Sequence, residues 1–114
     1  MKFNYKHKEV IDLLLLKREG VSAGKMFGYP AYYIHKKLFA CLYEEGVAIK
    51  IPEKLAMEIV GKDGIINFQP YGKTKMREWI QINRKKSEDY LNDMEIFKSS
   101  TEYVSLLSKK NGRK

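Results

Sequence analysis

Between Tyr29 and Ile51 the chain alternates so tightly between strand-like runs and turn signals that few folds can hold it. Tyr29 to His35 is rich in aromatic and β-branched residues, and Leu38 to Tyr43 is a second apolar run. Val47, Ile49 and Ile51 then alternate with Ala48 and Lys50, the period of a half-buried strand. Lys36-Lys37 marks a first turn. Glu44-Glu45-Gly46 marks a second, with Gly46 expected to supply the positive φ of a tight hairpin. Three consecutive strands joined by short turns make an antiparallel meander. Tyr33 falls on the opposite face from Tyr32 and Ile34.

The flanks supply helices. Asn4 caps a first helix expected to run to about Glu19, with Gly20 as its stop. Val10, Ile11, Leu13 and Leu14, with the Leu pair that follows, form an apolar arc wide enough to be buried on a sheet. Pro52 opens a short helix ending near Val60 at Gly61. Ile65 to Gln69 reads as a strand, Pro70-Tyr-Gly72 as a turn, and Met76 to Ile82 as a fifth strand. Ser87 caps a terminal helix, with Glu88 and Asp89 favourable at its N-terminal end and Ser99-Ser100-Thr101 as a point where it breaks. The expected fold is α+β: a two-layer sandwich with an antiparallel five-stranded sheet, order α-β-β-β-α-β-β-α, and helices packed on the sheet. Residues 1–108 form one domain, and residues 109–114 a basic, disordered tail.

Size and composition agree with one core. A chain of 114 residues is one domain's worth. Its single cysteine, Cys41, closes no intramolecular disulfide and points to a reducing, cytoplasmic setting. His7 and His35 have no Cys or His neighbour at zinc-ligand spacing, so no metal and no cofactor is expected. Glu9 and Asp12 interrupt the apolar stretch near the N-terminus, which rules out a secretory or membrane-spanning reading of it. The formal charge is +8. Residues 1–108 carry 18 basic and 14 acidic side chains, a net of +4, and residues 109–114 supply the remainder. The domain itself is mildly basic, with its excess in residues 1–40.

No motif dictates a reaction. Gly20-Val-Ser-Ala-Gly24-Lys25 has three residues between its glycines where a phosphate-binding P-loop needs four, and Met26 follows the lysine where Ser or Thr would hold magnesium. Glu44/Glu45 and Glu88/Asp89 sit at a solvated turn and a helix start, neither of which tunes a carboxylate for proton transfer. Cys41 and His35 are separated along the hairpin, so Cys41 reads as a core residue. The aromatics Tyr29, Tyr32, Tyr33 and Tyr43 lie near Lys25, Lys36, Lys37 and Lys50, and Lys73, Lys75 and Arg77 alternate along an extended chain. Aromatic faces among cations stack bases and track a phosphate backbone. Candidate nucleic-acid contacts are therefore Lys36, Lys37, Lys73, Lys75, Arg77, Tyr32 and Tyr33. An edge-of-core role for the tyrosines and a solvated face for the lysines are the alternatives.

From Lys25-Met-Phe-Gly28 onward the chain resembles the N-terminal domain of the TfoX/Sxy family of competence regulators and is similar to YjbR/MmcQ-like small domains. The residues that carry this are Met26-Phe27-Gly28, Lys37-Leu-Phe-Ala40, Ile49-Lys50-Ile51, Phe68, the Gly72 turn, Met76, Glu78-Trp79-Ile80 and Glu88-Asp89. Tyr29-Pro30 stands where family members usually have a second glycine. The resemblance implies a two-layer α+β domain and a regulatory role without enzymatic activity. Within it Met26, Phe27, Gly28, Phe39 and Trp79 read as structural: large residues that fill core, and a glycine that permits a bend before Pro30.

Three function classes remain. The first is a non-enzymatic regulatory or interaction module acting through a protein partner or a homo-oligomer. The second is a nucleic-acid-binding domain with a Lys/Tyr surface, and the third a small-molecule-binding domain. No membrane partner is expected.

Overall fold

The computed structural model describes residues 2–70 and 76–111, with side chains to Lys109. Six strands among these residues form one antiparallel sheet: β1 (Val21–Met26), β2 (Tyr29–Ile34), β3 (Lys37–Tyr43), β4 (Gly46–Lys50), β5 (Ile65–Asn67) and β6 (Trp79–Asn83). Their spatial order is β1-β2-β3-β4-β6-β5. Helices α1 (Tyr5–Leu15), α2 (Glu53–Ile59) and α3 (Met94–Asn111) complete the chain, with a 3-10 helix over Ser87–Asp93 leading into α3. The α+β class and the antiparallel sheet are as expected, but the sheet has six strands instead of five.

The additional strand is β1, in the stretch between Gly20 and Tyr29 to which no strand is assigned from the sequence. Val21-Ser-Ala-Gly-Lys-Met26 is mostly exposed and small, so it has no apolar period of its own. Pairing holds it: each residue from Val21 to Met26 is in register with β2, from Ile34 back to Tyr29. Gly24 is required there, because a Cβ at that position would lie 2.9 Å from the ring of Tyr33.

Both turns of the meander are two residues long, and both differ from expectation. The β2–β3 turn is His35–Lys36, each with positive φ, the signature of a type I′ hairpin. Lys37 is therefore the first residue of β3, opposite Ile34. Register then shifts by one between Tyr32 and Tyr33, which pair with Ala40 and Leu38 and leave Phe39 as a bulge. The bulge lets Phe39 and Ala40 both join Leu42 under the helices. In the next turn the positive φ belongs to Glu44, not Gly46. Gly46 is already in β4, where a Cβ would collide with Asn83 Oδ1 at 2.0 Å.

The first face of the sheet carries the helices. Ile11, Leu14 and Leu15 of α1, with His7, are buried at helical spacing, whereas Leu13 points to solvent, so the buried arc is narrower than the leucine run suggests. Asn4 caps α1 by accepting from the His7 N–H at 3.0 Å. The helix stops at Leu15, four residues short of the expected end, and Gly20 with φ of +85° closes the turn that follows. α3 crosses β2, β3 and β4 without a break at Ser99–Thr101. Ser100 and Thr101 are buried there, and the Ser100 hydroxyl donates to the bulged Phe39 carbonyl at 3.5 Å. The discontinuity lies earlier, at Asp93/Met94, where the 3-10 helix hands over to α3. Ser87 is not a cap; its hydroxyl meets His7 Nδ1 at 2.6 Å. α3 continues to Asn111, so it passes the expected domain boundary at residue 108.

The second face is also buried. Tyr29, Ala31, Cys41, Tyr43 and Ala48 form a separate apolar cluster with Phe68, flanked by Met26, Leu38 and Trp79. β4, expected to be half-buried, is thus covered on both sides: Val47 and Ile49 face the helices and Ala48 the opposite cluster.

Candidate binding pocket

The second cluster owes its shape to side-chain size. Register places Ala31 beside Cys41 and Cys41 beside Ala48, three small residues in one row across β2, β3 and β4. Larger side chains flank that row: Tyr29 and Tyr43 on one side, and Leu38, Tyr33 and Trp79 on the other. A sheet face with a small-residue row between rows of large residues is concave. Phe68, brought over this face after β5, fills part of the hollow.

What is left open is a pocket of about 470 Å³. Its floor is Tyr29, Leu38, Cys41 and Tyr43 of β2 and β3; Met26 and Phe27 bound it at the β1–β2 turn, and Phe68, Pro70, Met76 and Trp79 on the far side. The rings form a continuous row: Tyr29 to Tyr43 at 5.1 Å, Tyr43 to Phe68 edge-on at 5.2 Å, and Phe68 to Trp79 at 5.8 Å between centroids. These spacings lie in the favourable range for aromatic pairs. Among the described residues, no charged side chain lines the pocket. Lys50, paired in register with Trp79, is neutralised by Glu78 at 3.6 Å. Burial pushes the Cys41 thiol up to about 12, so it stays protonated at neutral pH and is a weak nucleophile.

Phe27 is the unusual member. It occupies the first turn position between β1 and β2 with φ of +51°, followed by Gly28 at +87°. A bulky residue in the left-handed region is strained, and Phe27 is 82% exposed.

Several polar groups are engaged elsewhere. On the helix face Tyr32 is 1% exposed and its hydroxyl donates to Asp12 at 2.5 Å, while Lys8 bonds the other oxygen of Asp12 at 2.8 Å. Burial and the adjacent carboxylate both hold the Tyr32 hydroxyl well above its ordinary range. Arg84 grips Asp93 with two bonds, 2.9 and 2.6 Å, and reaches the Asp63 carbonyl at 2.7 Å. Tyr103 donates to Glu78. Among the described residues, no group of three or more His, Cys, Asp or Glu side chains is placed to hold a metal ion. Likewise, no helix among them is long and apolar enough to cross a membrane. A larger, more open depression is lined by charges of both signs, Arg18, Glu19, Glu102 and Lys109, beside Ile34 and Leu106.

The fold brings only some of the residues singled out in sequence together. Tyr32 is a core residue and offers no ring to a base. Tyr33 is half-buried over Gly24, and its hydroxyl donates to the Lys25 carbonyl at 2.9 Å. Lys36 and Lys37 are exposed at the β2–β3 turn, and Arg77 is exposed just before β6. Register puts these three at the same end of the sheet, since Trp79 lies opposite Lys50 and Ala40 opposite Ile49. Lys73 and Lys75 lie outside the described residues. Of the residues read as structural, Phe39 is in the helix-side core and Gly28 in the turn, but Met26, Phe27 and Trp79 line the pocket. The pocket as a site was missed, along with Leu38, Cys41, Phe68, Pro70 and Met76. Its signal was present: Ala31, Cys41 and Ala48 are the small residues on the face that also carries Tyr29 and Tyr43. The chain matches no family model, no curated protein and no solved structure.

Proposed function

We propose that this chain is a non-enzymatic binding module of the regulatory or interaction kind, and that the pocket on the face of the sheet opposite α1, α2 and α3 is its binding site. One observation carries the reading. A domain that has already buried a helix-side core keeps a second, preformed apolar recess within the size range of small-molecule sites, about 300–1,000 Å³. The lining groups suit binding and not proton transfer. The thiol at the floor is held protonated, and the carboxylates that are hydrogen-bonded or ion-paired to a neighbour lie outside the pocket.

Methyl resonances of Met26 and Met76 report on this site directly. On titration with benzene, cyclohexane and indole, at least one fragment is expected to shift both methyls, and Cys41→Leu, which fills the floor, should abolish the shifts. Shifts that spread over the surface, or that persist in Cys41→Leu, count against the pocket as a binding site.

A further inference from the structure

We infer that the pocket's ligand is a small, uncharged, planar aromatic molecule, held between the row Tyr29–Tyr43–Phe68–Trp79 and the ring of Phe27. This rests on the reading of the pocket as a binding site and adds the class of occupant.

The lining decides the charge. Among the described residues the space is lined by Met, Phe, Tyr, Leu, Cys, Pro and Trp side chains, none of which can neutralise an ionised group. A buried charge without a partner is strongly disfavoured, so an ionised ligand would leave its solvation shell without compensation. The thiol of Cys41 contributes no charge either, because burial keeps it protonated.

The rings decide the shape. Three successive ring contacts of 5.1, 5.2 and 5.8 Å run from Tyr29 to Trp79. Their electron-rich faces and positive edges favour another ring over a branched aliphatic group of equal area. The thioethers of Met26 and Met76 add soft contacts that also favour aromatic edges.

Phe27 decides the closure. It combines two costs, a left-handed backbone and an almost wholly solvated ring, at a turn position where Asn or Gly would relieve both. Contact with a ligand at the pocket mouth gives that ring a buried surface which the free domain lacks.

A free molecule is favoured over a peptide segment by the strands beneath. β2 is paired on both sides, by β1 and β3, and β3 by β2 and β4. Extended peptides are held chiefly through main-chain hydrogen bonds to a free strand edge, and the pocket floor offers none.

The test uses the whole chain and N-phenyl-1-naphthylamine, an uncharged two-ring fluorophore with a pendant phenyl, excited by energy transfer from Trp79, the single tryptophan. Its anionic sulfonate analogue and 1-decanol serve as comparators. The expected result is one saturable site, with affinity at least ten-fold higher than for either comparator, although the protein's positive charge attracts the sulfonate. Cys41→Leu should abolish binding, and Phe27→Ala should weaken it at least five-fold with an unchanged melting temperature or a higher one. Equal or tighter binding of the sulfonate at the Cys41-sensitive site overturns the uncharged class. Equal or tighter competition by 1-decanol overturns the aromatic class and leaves the pocket a binding site. No binding of any of the three defeats both readings. A concentration-dependent dimer dissolved by Cys41→Leu would make a second copy the occupant and overturn the inference. Should Cys41→Leu fail to fold, Phe27→Ala and the comparator ratios decide alone.

Discussion

Phe27 shows how a residue can be legible in sequence and still be misread. Met26-Phe27-Gly28 stands out as a motif of large residues before a glycine, and large residues in a motif ordinarily mean core. Only the hairpin geometry reveals that Phe27 sits at positive φ with its ring in solvent. Replacing it by Asn creates the Asn-Gly pair that type I′ turns prefer. The left-handed conformation costs an ordinary side chain roughly 1–2 kcal/mol, so Phe27→Asn should stabilise the domain by about 1 kcal/mol, less than the full penalty because Asn still bears some of it. Urea denaturation measures this, and a loss of stability would mean that the ring already packs productively in the free protein. Cys41 allows a second prediction at the same scale. Its folded-state thiol titrates near 12, above the ordinary thiol value reached on unfolding. The unfolded chain therefore releases a proton first, and the group's contribution is complete below the ordinary thiol pKa and lost as pH rises toward 12. In that window stability should fall by about 1.4 kcal/mol per pH unit for this one group. Between pH 9 and 10, where Tyr32, Tyr90 and Tyr103 contribute equally to both proteins, the slope of urea stability against pH should be flatter in Cys41→Ala than in the parent. Equal slopes would place the thiol in contact with water.

At the level of elements, the strands with strong apolar alternation were legible and the exposed edge was not. β2, β3 and β4 follow from Tyr29–Ile51 almost as read, because burial on both faces concentrates apolar residues there. β1 is written in Ser, Ala and Gly and exists by pairing with β2, so no periodicity announces it. The ends of α1 and the turn positions shifted because Leu13 and Lys37 answer to tertiary packing and hairpin twist instead of local pattern. The 3-10 helix before α3 has a different anchor. Arg84, next after β6, bonds Asp93 through two nitrogens and also reaches the Asp63 carbonyl in the turn before β5. One guanidinium thus ties the β5–β6 pair to the start of α3. Asp93 is 5% exposed, so Arg84→Leu leaves a buried carboxylate without its cation, a change that costs about 3–5 kcal/mol. The double variant Arg84→Leu/Asp93→Leu should recover more than half of that loss in equilibrium unfolding. A single variant costing under about 1 kcal/mol would show instead that water reaches Asp93 freely.

For the whole molecule, the question is what the positive charge does. Sequence places the domain's excess in residues 1–40, and the fold leaves Lys36, Lys37 and Arg77 at one end of the sheet. Charge at a common end attracts a phosphate backbone, but neither Tyr32 nor Tyr33 presents a free ring there: Tyr33 is near that end, pairing Leu38, yet it is half-buried with its hydroxyl bonded to the Lys25 carbonyl. Tyr32 is buried under the helices and Tyr33 lies over Gly24 on the opposite face. Three phosphate contacts on single-stranded DNA give a slope of log K against log salt of roughly −2, from about −0.7 per phosphate. The expected outcome is therefore weak, sequence-indifferent binding with a slope near that value, abolished by reversing Lys36 and Lys37 to Glu. It should be unmoved by Tyr33→Leu, since a ring that contributes no stacking has nothing to lose. Aromatic stacking is worth about 1–3 kcal/mol per base, so genuine base contact would appear as a five-fold or larger loss in that variant. A slope near −4 together with such a loss would make the basic end the functional surface in place of the pocket. The two surfaces are separable by the same pair of variants, because Cys41→Leu touches only the pocket and the Lys36/Lys37 reversal only the charged end.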